Sequence, residues 1–155
     1  YIKSLNKFYL SENSLWEVDN SFEGFKWIDH SDYEQSIIVF RRVGSRERDF
    51  IIAICNFTPV VRENYRIGVP EPGEYIEAFN SDEASFGGSG QKNHGTIISA
   101  DIPWQSCSNS ITLKIPPLCT LFLKKVVQEE SDNKLNIKEE KVKNQKAIKE
   151  VEGRK

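Results

Sequence analysis

The chain has 155 residues, 38% hydrophobic and 28% charged, a length and balance that fit one domain built on one apolar core. Charge is unevenly placed: residues 124–155 hold ten Lys or Arg against seven Asp or Glu, which leaves eleven against sixteen in residues 1–123. An acidic body excludes a phosphate-binding surface, and no apolar run approaches the roughly 18 residues that cross a bilayer, so neither a nucleic acid nor a membrane is expected as partner.

Ile2, Leu5 and Phe8 or Tyr9 recur at three- and four-residue spacing, which predicts a short helix with one apolar face. A helix of this length is marginal without a partner. The chain contains no Met and starts in mid-pattern at Tyr1, so the expectation is a segment of a longer polypeptide, with this helix packed on something upstream and frayed in isolation.

Between the helix and the first firm strand, Trp16, Phe22, Phe25 and Trp27 cluster within twelve positions. An exposed ring can stack on the apolar face of a sugar, whereas a buried one fills a core or the join to a neighbouring domain. Composition alone favours burial.

The period then changes to short β-rich runs parted by turn residues. A strand is predicted at Phe25–Asp29, and stronger ones at Ser36–Arg42 (SIIVFRR) and Phe50–Asn56 (FIIAICN), joined by the polar, glycine-containing link 44–49. Further strands follow at Tyr65–Val69, Gly73–Asn80 and Thr96–Ser99, then Ser110–Ile115 and Cys119–Lys124. Pro70, Pro72 and Gly73 break one run and Pro116-Pro117 another, because proline cannot donate to a ladder. Seven or eight such strands predict an all-β fold, an antiparallel β-sandwich, with the short helix in front of it.

Residues 86–95 (FGGSGQKNHG) are dense in glycine but lack the G-K-[S/T] ending of a phosphate loop and any long helix after them, so a flexible inter-strand loop is expected. Trp104 follows in a Pro-Trp turn. Beyond Val126 aromatics vanish and Lys and Glu alternate with isolated apolar residues, which predicts a charged tail, disordered or partly helical, over 125–155.

Chemistry-bearing patterns are sparse. His30 and His94 stand 64 positions apart with no H-E-x-x-H or C-x-x-C motif, so no metal and no cofactor are expected. Cys55, Cys107 and Cys119 are odd in number; Cys55 and Cys119 sit in apolar strand-like runs, and reduced buried thiols in a reducing, cytoplasmic compartment are expected. Carboxylates such as Glu12, Glu17, Asp19, Glu23, Asp29, Asp32 and Glu34 crowd the first segment, but no spacing marks a facing pair. No catalytic residue is assigned.

The ordered pieces Leu15-Trp16-Glu17, Gly24-Phe25-Lys26-Trp27, Cys55-Asn56-Phe57-Thr58-Pro59-Val60, Tyr65-Arg66-Ile67-Gly68-Val69-Pro70, Phe79-Asn80-Ser81-Asp82, Gly87-Gly88-Ser89 and Leu113-Lys114-Ile115-Pro116-Pro117-Leu118-Cys119-Thr120 closely resemble the C-terminal portion of bacterial 1,4-α-glucan (glycogen) branching enzymes. The resemblance covers residues 1 to about 124. It implies a parent of the α-amylase superfamily with a central (β/α)8 barrel. Residues 1–14 would then end the last barrel helix, 15–124 would form the C-terminal β-sandwich, and 125–155 would be an added tail. It also implies retaining transglycosylation by carboxylates upstream of Tyr1, with α-glucan (glycogen) and the barrel as partners. Trp27 is then the glucan-contact candidate, with Phe25 packed beneath it. Lys26 departs from the family, which usually has Glu there. Two other readings stay open: a free-standing carbohydrate-binding module, and the equivalent domain of a debranching enzyme.

Overall fold

A computed structural model of the chain describes residues 1–127; the expected tail lies outside them, apart from its first three residues. One helix, α1 (Ile2–Ser11), precedes eight strands: β1 (Phe25–Asp32), β2 (Ile37–Val43), β3 (Phe50–Asn56), β4 (Arg62–Val69), β5 (Glu74–Asn80), β6 (Ile97–Ile98), β7 (Asn109–Ile115) and β8 (Cys119–Lys125). They form a six-stranded sheet in the order β1-β2-β3-β8-β5-β6 and a two-stranded sheet of β4 and β7. Every pairing is antiparallel, as the alternating patterns required.

The core lies between the sheets. Val39, Ile52, Ile54, Leu121 and Leu123 from the large sheet meet Ile67, Val69, Ile111 and Ile115 from the small one, all essentially excluded from solvent. Full burial of each such side chain contributes about 1.5–3 kcal/mol. Tyr75 belongs to the same core, and its hydroxyl donates to the Glu71 carbonyl at 2.7 Å.

The final two strands are consecutive in sequence but lie in opposite sheets. Pro116-Pro117 makes that crossing, and the Asn56 amide ties it down by donating to the Pro116 carbonyl at 2.8 Å. β8 consequently inserts between β3 and β5, and Val126 N–H still bonds Glu74 beyond its end.

Two sequence expectations change. α1 has a partner within the chain: Phe8 is buried on the outer face of the large sheet, 5.0 Å from the Phe79 ring and 5.2 Å from Phe122. The apolar spacing read in α1 is real, but the partner is more than 70 residues away in sequence, where periodicity has no reach. The glycine-rich segment, expected to be flexible, is tied at several points. Asp82 accepts from Ser89 N–H at 2.8 Å and from the Ser89 hydroxyl at 2.5 Å. Asn93 exchanges two hydrogen bonds with the Lys114 backbone.

Candidate functional site

The strand β1 lies at an open edge of the large sheet. Residues two apart on a strand share a face, so Phe25 and Trp27 project together, and the register sets Trp27 opposite Phe40 of β2. The Phe25 ring stacks on Phe40 at 5.1 Å, and Trp27 meets Phe25 edge-on at 4.9 Å and Phe40 edge-on at 5.9 Å. Phe25 and Phe40 are half-buried while Trp27 is 52% exposed. Trp27 is therefore open to solvent, and Phe25, its neighbour on the same face, is half-buried.

The platform continues inward along one row of the sheet. Phe40 is paired with Ala53, Ala53 with Phe122, and Phe122 with Phe79. Ala53 is buried between these rings, and Phe8 of α1 covers the inner end. The same face thus changes from helix-covered at β8 and β5 to open at β1. Phe40 was not singled out in the sequence, although its alternate position in SIIVFRR, on the face opposite the core residue Val39, carries the signal.

Burial in the core of this chain, one form of the reading favoured by composition, does not hold for most of the aromatic cluster. Trp16, Phe22, Trp27 and Trp104 are all exposed, and Phe22 almost completely so. For Trp27 the reason is one composition cannot give: β1 is an edge strand.

Charges around the platform are paired locally. Lys26, the departure from the family pattern, donates to Glu47 at 2.6 Å, and Arg41 also reaches Glu47 at 3.3 Å. These partners hold the Glu47 carboxyl below the usual range, the Lys26 hydrogen bond most of all. His30 meets the Trp27 ring at 5.4 Å. Glu17 accepts from Ser45 N–H at 2.9 Å, and Arg42 donates to Asp19 at 2.6 Å, so these two carboxylates of the first segment are engaged in joining it to β2 and the loop after it.

The three cysteines are free. Burial pushes the Cys119 thiol up to about 12 and raises Cys55 and Cys107 as well. None is a thiolate near neutral pH, so none has the form that attacks or binds metal. Among the described residues no cluster of His, Cys, Asp and Glu is placed to hold a metal ion, and no helix is long and apolar enough to cross a membrane. What the arrangement offers is a braced aromatic surface, suited to contact.

A family model of the α-amylase C-terminal all-β domain matches residues 27–126. The chain is 53% identical over 128 residues to a 1,4-alpha-glucan branching enzyme GlgB of Halothermothrix orenii, covering 83% of this chain and 20% of that protein. It is 49% identical over 125 residues to a GlgB 2 of Clostridium perfringens, covering 80% and 19%. With the GlgB of Oceanobacillus iheyensis it shares 46% over 130 residues, covering 84% and 20%. The chain spans about a fifth of the length of these relatives.

Proposed function

The chain belongs to the α-amylase C-terminal all-β domain family, and from that premise we propose that it serves as the C-terminal domain of a cytoplasmic 1,4-α-glucan branching enzyme. The observation that carries this is the match, at about half identity over four-fifths of the chain, to proteins named for that activity. In the whole enzyme the reaction would be retaining transglycosylation. A carboxylate on the barrel would attack C1 of the α-1,4 chain and break the C1–O4 bond while a second carboxyl protonates the departing 4-hydroxyl; that second group would then take the proton of an acceptor glucan's 6-hydroxyl as this oxygen, in place of water, displaces the enzyme carboxylate from C1.

The domain's share of that work is binding and support. The open platform of Trp27, Phe25 and Phe40 presents an indole face whose apolar surface complements the C–H face of a glucose ring, held rigid by edge-on contacts beneath it. Pre-ordered rings lose little conformational entropy when a chain settles on them.

Residues 1–14 would be the end of the last barrel helix and 15–124 the sandwich, with the barrel covering the exposed side of α1, where Ile2, Tyr9 and Leu10 face solvent. The protonated, unpaired cysteines fit a reducing compartment.

Affinity electrophoresis of the whole enzyme in gels containing glycogen tests the platform. Trp27→Ala is expected to raise the apparent dissociation constant about two- to tenfold, the range of one lost aromatic contact, with the melting temperature unchanged. Equal retention of variant and parent enzyme would remove Trp27 from the glucan surface.

A further inference from the structure

We propose that a second sugar-binding groove, centred on Trp104, lies on the inner side of β1, around the strand edge from Trp27; this deepens the glucan-contact reading above and rests on it for the identity of the sugar. The groove, of about 620 Å³, is bounded by the end of β1, the start of β4 and the turn at Trp104. Its size falls within the usual range for small-ligand sites.

The turn is built for rigidity. Trp104 and Cys107 exchange backbone hydrogen bonds of 3.0 and 2.9 Å, and the two residues between them, Gln105 and Ser106, have φ of 49° and 62°. That is a hairpin turn whose central positions ordinarily belong to Asn and Gly. Holding other residues there strains the backbone, so the surroundings must over-determine the conformation.

They do so through one side chain. The Gln105 amide accepts from Gly68 N–H at 2.9 Å and donates to Asp29 at 2.6 Å, clamping the turn to both β4 and β1. Gly68 is needed for the fit, because a Cβ there would stand 2.4 Å from the Trp104 carbonyl oxygen. The outcome is Trp104, 47% exposed, fixed on the rim of a groove.

The groove's polar groups indicate the class of ligand. Asp29, Asp32 and Glu63 supply negative charge and Arg62 and Arg66 positive charge, so an ion of either sign would meet like charge. A neutral molecule with many hydroxyls and one apolar face would meet donors, acceptors and a ring. Asp32 accepts from the Tyr65 hydroxyl at 2.5 Å on one carboxylate oxygen and from Gln35 N–H at 3.0 Å on the other, and a carboxylate oxygen with one such bond keeps a second lone pair for a sugar hydroxyl. The Arg62 guanidinium is loosely held, by contacts of 3.3 and 3.5 Å, and its Nε is a buried donor without a partner. A buried donor left open is uncommon, and a modest turn of this side chain would offer it to a sugar hydroxyl.

The test is a titration of the ¹⁵N-labelled 155-residue chain with maltoheptaose, followed through the indole N–H signals of its three tryptophans, Trp16, Trp27 and Trp104. The Trp104 signal is expected to shift saturably, and to do so again in a Trp27→Ala chain. Trp104→Phe is expected to raise the midpoint read at the Gln105 amide about two- to tenfold. A Trp104 signal that stays still at saturating sugar, or moves only while Trp27 is present, overturns the second groove. If Trp104 moves and Trp27 does not, the platform reading fails and the groove stands.

Discussion

Asp29 shows how one side chain can serve fold and surface together. Partial burial alone would raise its carboxyl, but hydrogen bonds from Ser31 N–H, the Ser31 hydroxyl and the Gln105 amide, with the charge of His30, outweigh that and hold it below its ordinary value of 3.8. A carboxyl depressed in the folded state contributes stability that is present above the unfolded value and is lost as pH falls through the folded one. Acid unfolding of the chain, followed by circular dichroism between pH 5 and pH 2, is therefore expected to be shallower for Asp29→Asn. At neutral pH the same variant is expected to lose about 1 kcal/mol, the value of a charge-assisted bond discounted for solvent. A steeper acid limb in the variant contradicts this role. Nothing in the residues around Asp29 announces Gln105, 76 positions later, as its partner, so this contact could not be read from the sequence. The Trp27–Phe25 pair is named only through the resemblance, although i and i+2 on a strand share a face and so put the two on one side of β1.

The elements were legible to the degree that their signals are local. Alternation and proline or glycine punctuation placed β3 without error and most other strands to within one to three residues, since a strand in a sandwich must show one face to the core. Pairing was not legible. That β8 enters between β3 and β5, and that β7 lies across the core from it, follows from the turn through Pro116-Pro117 and from contacts distant in sequence. The helix is the clearest case: Phe8 is correctly placed on its apolar face, while the rings that receive it belong to β5 and β8. Phe8→Ala is expected to weaken docking of α1 by about 3 kcal/mol. Hydrogen exchange checks this directly: amides in α1 should lose protection while those of β3 and β8 keep theirs. Unaltered exchange in α1 would mean that the helix is held by something other than Phe8.

At the scale of the whole molecule, two sheets close on an aliphatic interior and leave the outer face of the large one to aromatic rings. These rings are covered by α1 at one end and open at β1. A fold of this kind does not specify a reaction; the family membership and the relatives are what the proposed function rests on. The central proposal is that the full-length polypeptide containing this sandwich moves α-glucan segments and does not hydrolyse them. Proton NMR of amylose incubated with that full polypeptide measures it most directly. The expected result is growth of the α-1,6 anomeric signal with no matching rise in reducing ends; reducing ends that rise without new α-1,6 linkages would contradict it.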